Sequence, residues 1–240
     1  MSQIYKFYRD DDYNKLRFKW EKWYGDDYQQ AHLSKEYIDG RKKEISDFLA
    51  IYLKNNVCKV VDIGGGNGEL IPDAIPGNLG VIQKHVLDLS SVDNITNVTK
   101  IDSLSEINEF DLAIYSHVIE HVADPIAELE NILQYTNYVY VETPFGVPKV
   151  SFINKSIVIN ALFALLSLNP NLWRNMFALS VGFKSKTRIF RQSEHINFFE
   201  TKTISTIGNL LNCDTYVKIN LVNNPLGEKH HVIQAFFSKR

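Results

Sequence analysis

Apolar residues recur along this chain with two different periods, and the change of period marks out its elements. Ile45, Phe48, Leu49, Tyr52 and Leu53 fall on one face of a helix, which Asn55 and Asn56 end. Beyond them, apolar runs of strand length alternate with polar crossovers. Residues 59–63 read as a buried strand entering a glycine loop, 81–87 as a second strand, 97–101 as a short third, 111–115 as a fourth and 138–141 as a fifth. A helix over 125–134 joins the last two. Asp124 is suited to cap it, Pro125 fits its first position, and Ile126, Leu129, Ile132 and Leu133 line one face. A further helix over about 201–211 precedes strands at 215–222 and 231–237. Strands separated by such crossovers imply an α/β protein: a mostly parallel sheet with helices on both faces.

Two stretches break the rhythm. Residues 1–28 mix Tyr5, Phe7, Tyr8, Tyr13, Phe18, Trp20, Trp23 and Tyr24 with charges, too aromatic for a disordered tail and suited to a docking arm. Residues 144–194 hold an apolar helix-like run, an Asn-Pro-Asn turn at 169–171, then an aromatic and basic segment. The run around 157–166 suits a buried helix, a dimer face or a lipid-facing surface.

Composition narrows the class. The 240 residues are 45% hydrophobic and 22% charged, as in a globular protein with a sizeable core. A net charge of −2 argues against a nucleic-acid scaffold. Two cysteines, Cys58 and Cys213, cannot build a disulfide framework or thiolate cluster, and both read as reduced packing residues. The N-terminus lacks the apolar core of a secretory signal, and no run suffices to span a bilayer. The expectation is a soluble cytoplasmic protein.

The candidate chemistry begins at Val60-Val61-Asp62-Ile63-Gly64-Gly65-Gly66-Asn67-Gly68-Glu69. Glycines at 64, 66 and 68 follow a strand directly, where ligands bind in open α/β sheets. A dinucleotide fingerprint would place its third glycine at position 69. Glu69 there repels a pyrophosphate but tolerates S-adenosylmethionine, which lacks phosphates and carries a cationic ammonium and sulfonium. Asp88, ending the second strand in Val-Leu-Asp-Leu, can accept both hydrogen bonds of a ribose diol.

These segments, with Ile-Asp-Ser-Leu at 101–104 and Phe-Asp-Leu-Ala-Ile-Tyr-Ser-His-Val-Ile-Glu-His-Val-Ala-Asp-Pro at 110–125, resemble the successive motifs of class I S-adenosylmethionine-dependent methyltransferases. The order holds over about residues 55–145. Glu120-His121 and Ser-Glu-His-Ile-Asn-Phe-Phe at 193–199 resemble the small-molecule branch, methyltransferase domain families 11 and 23, with its ubiquinone-biosynthesis and sugar or polysaccharide enzymes. The resemblance implies a Rossmann-like, seven-stranded, mostly parallel sheet with an antiparallel last strand and a helical cap insert. It implies that Asp62, Gly64, Gly66 and Gly68 cradle the methionine end, and that Asp88, with Leu89, holds the ribose. Asp102 and Ser103 would lie near adenine, and Ser116 would join the donor site. Pro72 and Pro76 depart from the pattern by interrupting the first crossover helix. The whole chain then reads as one methyltransferase domain: arm 1–40, donor core 41–143, cap 144–194, and the rest of the core at 195–240.

A hydroxyl acceptor benefits from a base near neutral pH. His121 or His195 is the candidate, with Glu120 orienting; the alternative is that Glu120 and His121 merely tie a loop to a helix. His117, Glu120 and His121 also have ligand spacing on a helical turn, but no metal is expected. Arg188 and Arg191, in a basic stretch with Lys184 and Lys186, suit an anionic acceptor such as a nucleotide-linked or phosphorylated sugar. With His117, Tyr8 and Trp23 they are the candidate acceptor contacts. The expected activity is methylation of a small molecule, a sugar or glycan-precursor hydroxyl in surface polysaccharide biosynthesis. A quinone or phenolic acceptor, a nucleic-acid methyltransferase and a non-catalytic adenosylmethionine sensor are the rivals. The product would be S-adenosylhomocysteine, no nucleic-acid partner is expected, and the protein would be a monomer or homodimer, with peripheral membrane contact open.

Overall fold

A computed structural model describes residues 34–88, 97–107, 109–145, 197–223, 227 and 229–240. Helix α1 (Lys35–Tyr52) opens this part, its N-terminus capped by the Ser34 side chain, which accepts from the Tyr37 N–H. The first turns of α1 therefore take up the last residues of the expected arm. Strands β1 (Lys59–Ile63), β2 (Gln83–Leu87), β3 (Val98–Ile101) and β4 (Phe110–Ser116) follow. Next come α2 (Pro125–Ile132), β5 (Thr136–Pro144), α3 (Thr201–Leu210), β6 (Cys213–Asn223) and β7 (Lys229–Lys239).

The seven strands form one sheet in the order β3-β2-β1-β4-β5-β7-β6. All neighbours are parallel except β7, which runs antiparallel to both β5 and β6. The central strands are covered on both faces, so their apolar runs are nearly continuous. Val61, Ala113, Tyr115, Val139 and Val141 point to one face and pack with Leu129 and Ile132 of α2 and Ile204 and Ile207 of α3. Their strand neighbours Val60, Leu112, Ile114, Tyr138 and Tyr140 point to the other and pack with Ile45, Phe48 and Leu49 of α1. Asp124 caps α2 as its sequence suggests, accepting from the Ile126 and Ala127 N–H groups at 3.2 and 3.0 Å.

The crossover from β1 to β2 contains no helix. Residues 64–82 run as turns, consistent with Pro72 and Pro76, and tertiary contacts replace the missing ladder. The Ser46 hydroxyl donates to the Ala74 carbonyl at 2.8 Å, and the Lys84 ammonium to that of Ile71 at 3.1 Å. Glu69 is exposed there. One expectation fails: Cys58, just before β1 on the sheet's N-terminal edge, is exposed, whereas Cys213 is buried. Among the described residues, no helix is long and apolar enough to cross a membrane.

Candidate functional site

Parallel strands β1, β2, β4 and β5 end on the same edge of the sheet, and the candidate residues collect there. The glycine loop leaves β1 with its first N–H bonded to the Leu87 carbonyl at 2.8 Å. Gly64, Gly66 and Gly68 have φ of 67°, 56° and 66°, the left-handed region that costs an L side chain energy. Their bareness is also steric at Gly64, where a Cβ would come within 2.9 Å of Val118 Cγ2. Asp88 braces the loop: its Oδ2 accepts the Gly66 N–H at 2.8 Å.

Beneath the loop lies Asp62, 1% exposed, with no hydrogen-bond partner for either carboxyl oxygen among the described residues. A Cβ on Gly65 would collide with this carboxyl group. Burial, with the charge of Asp88 adding, pushes the Asp62 carboxyl up to about 8. A buried acceptor pair without donors calls for a cation. The ammonium of adenosylmethionine meets that need, and the open glycine backbone and Asp88 suit its methionine end and ribose. The residues present therefore fit this donor.

A second cluster joins the ends of β4 and β5. His117 has φ of 56°, and its N–H donates to the Glu142 carbonyl at 2.8 Å. Its ring lies between two buried carboxylates, Nε2 3.2 Å from Glu142 Oε1 and Nδ1 3.5 Å from Glu120 Oε1. Burial opposes the imidazolium, but the bonds and charges of Glu120 and Glu142 prevail and raise it to about 9. Glu142 is fully buried and also bonds the Arg41 guanidinium, the Tyr140 hydroxyl at 2.9 Å and the Gln234 amide at 3.2 Å. Burial would raise its carboxyl, but His117, Arg41 and Tyr140 outweigh that and lower it to about 2. Glu120 likewise stays below its ordinary value, burial being outweighed by His117 and the charge of His121.

The structure thus pairs Glu120 with His117, and with the Thr143 hydroxyl at 3.1 Å, while half-buried His121 follows on the same turn. The backbone carbonyl of Glu120 accepts from Asn197, which brings the segment after residue 196 to this loop. Ser116 carries a buried hydroxyl without a hydrogen-bond partner among the described residues. Asp102 and Ser103 follow β3, exposed; the Ser103 hydroxyl caps a short 3-10 turn, and Glu106 accepts from both backbone N–H groups. Leu89, His195, Arg188, Arg191, Tyr8 and Trp23 lie outside the described residues, as do the arm through residue 33 and the insert from 146. Among the described residues, no group of three His, Cys, Asp or Glu side chains is arranged to hold a metal ion.

Arg41, Glu142 and Gln234 escape a reading of the sequence, which ends the fifth strand at Val141. One signal was present. Glu142 continues the apolar run Tyr-Val-Tyr-Val, and a carboxylate in a buried strand requires a cation from elsewhere in the fold.

A family model for a methyltransferase domain matches residues 30–216. No curated protein matches the chain in sequence. Among solved structures, the plantazolicin methyltransferase BpumL, in complex with a monoazolic desmethylPZN analog and SAH, aligns with a TM-score of 0.55 at 13% identity, covering 99% of this chain and 94% of that one. The plantazolicin methyltransferase BamL, with a triazolic desmethylPZN analog and SAH, aligns at 0.57 and 12% identity, covering 99% and 94%. At such identity the likeness is one of fold, and it agrees with the sheet order described above. Since the family match spans well over half of its length and contains the glycine loop, Asp62 and Asp88, the chain belongs to methyltransferase domain family 23 and is an S-adenosylmethionine-dependent methyltransferase of class I fold.

Proposed function

We propose that this enzyme methylates a hydroxyl group of a small-molecule acceptor, a sugar or glycan precursor, at the edge of the sheet where β1, β2 and β4 end. The observation that carries the donor half is Asp62: a buried carboxyl group without a hydrogen-bond partner among the described residues, under a loop whose glycines leave the backbone open. Asp62 takes the ammonium of the donor, and Asp88 takes the ribose diol while its second oxygen holds Gly66. When bound, the donor supplies an activated methyl group with its own leaving group. The chain has to place the acceptor oxygen in line and remove its proton.

His117 is unsuited to remove that proton, because it is already an imidazolium at neutral pH with a carboxylate at each nitrogen. The role of base falls to His121 or His195, and the partner that Glu120 orients is His117. The basic residues Arg188 and Arg191 support an anionic acceptor, a nucleotide-linked or phosphorylated sugar. The apolar run at 157–166 supports a second reading, a quinone or other phenolic acceptor.

Calorimetric titration with adenosylmethionine and adenosylhomocysteine tests the donor half, with Asp88→Ala expected to lose binding. A panel of sugar nucleotides and phenols, assayed for methyl transfer, then separates the two acceptor readings. Absence of donor binding by a folded protein would overturn the proposal.

A further inference from the structure

The donor and acceptor readings above give Glu142 no part, yet it is the most heavily bonded carboxylate described. Its two oxygens divide the work. Oε2 accepts from Tyr140 and Gln234 within the sheet, and Oε1 takes Arg41 from α1 and His117 from the loop after β4. With its backbone carbonyl also bonded to the His117 N–H, Glu142 grips one residue twice. That residue sits in the left-handed region, uncommon for non-glycine residues although histidine is among those enriched there. The next one, Val118, packs over Gly64 at the start of the donor loop.

We propose that Glu142 is a positioning residue of the methyl-transfer site: from within the core it keeps His117 charged and in place, and through Val118 it sets the shape of the glycine loop. The inference rests on the donor-site reading given above. Among the described residues, the charged groups around the His117 ring are Glu120 after β4, Glu142 on β5 and Arg41 on α1, which also pairs with Glu44. The ring of His230 on β7 lies 6.4 Å away. An imidazolium bridges Glu120 and Glu142; a neutral ring offers one N–H and leaves two buried carboxylates facing each other. Loss of the His117 proton therefore loosens the loop after β4, and with it the donor loop.

The test compares adenosylhomocysteine affinity of wild type, Glu142→Gln and His117→Asn by calorimetry at about pH 6 and about pH 8, where an ordinary histidine changes charge. NMR follows the His117 ring. Glu142→Gln keeps the volume but lets the His117 midpoint fall from about 9 toward the ordinary range. Relative to wild type, it should bind nearly normally at the lower pH and about 5- to 50-fold more weakly at the higher. A merely structural defect would weaken binding equally at both. His117→Asn, neutral and tolerant of left-handed backbone, should weaken binding at both, and it carries the test if Glu142→Gln fails to fold. An equal loss for Glu142→Gln at the two pH values, or wild-type affinity for His117→Asn, would overturn the proposal. Failure of wild type to bind adenosylhomocysteine would instead overturn the donor reading itself.

Discussion

Asp62→Asn should stabilise the ligand-free protein while destroying its donor site, and by an amount that grows with pH. In the unfolded chain this carboxyl titrates near 3.8; folding buries it beside Asp88 with no hydrogen-bond partner among the described residues, and lifts it to about 8. A raised carboxyl contributes stability below the unfolded value, and this is lost as pH rises through the folded one. Asparagine has the same shape and no proton to hold. Linkage places the advantage of the variant at about 2 kcal/mol at pH 5 and about 4 kcal/mol at pH 7, levelling off above about pH 8. At about 2–4 °C per kcal/mol for a chain of this size, the difference in Tm should widen by about 4–8 °C between those two pH values. Any constant cost of a buried carboxamide cancels in that comparison. So does the separate loss of stability as His117 deprotonates toward 9, common to both proteins. The assay is thermal unfolding of both, free of donor, across pH 5–9. A Tm difference independent of pH would refute the argument that Asp62 is held protonated by burial. Adenosylhomocysteine should raise the Tm of wild type and leave the variant unmoved.

Three further outcomes follow from the same geometry. Donor binding near pH 7 should release close to one proton, as the ammonium ionises Asp62. Calorimetry in buffers of different ionisation enthalpy would read this as a slope, and a buffer-independent heat would contradict it. Gly65→Ala should cost about 1–3 kcal/mol through overpacking against the Asp62 carboxyl and abolish adenosylhomocysteine binding; normal affinity would show that the loop has room. Asp124→Ala removes the α2 cap and should cost about 1 kcal/mol in denaturant unfolding, with donor affinity unchanged.

The charge cluster at the ends of β4 and β5 changes the chemistry available to the loop. Paired side chains at i and i+3, His117 and Glu120, resemble a base with its orienting acid. Glu142 converts them into something else, because a second carboxylate on the far nitrogen stabilises the charged ring. The imidazole most visible after the fourth strand is thus held as a cation, and His121 and His195 remain the candidate bases.

Local order along the chain was legible because its causes are local. Alternating burial on both faces of β1, β4 and β5 makes their apolar runs continuous, Asp124 and Pro125 mark the start of α2, and the spacing of Gly64, Gly66 and Gly68 marks a loop that needs left-handed backbone. Asp62 and Asp88 were legible for the same reason, as acids at the ends of strands. Strand ends were less so: β5 runs on to Pro144 and β6 and β7 each reach eleven residues, since antiparallel pairing carries them past the apolar stretch. Proline could announce that the crossover after β1 was interrupted, but only packing decided that it holds no helix. Three more results belong to tertiary structure: the burial of the Asp62 carboxyl group away from any hydrogen-bond partner among the described residues, the pairing of Glu120 with His117, and the capture of the far nitrogen of His117 by Glu142. Arg41 and Glu142 stand 101 positions apart and meet only because α1 covers the face of β5. The charge state of a buried group is set by such neighbours, and a sequence orders residues along a line, not around a carboxylate.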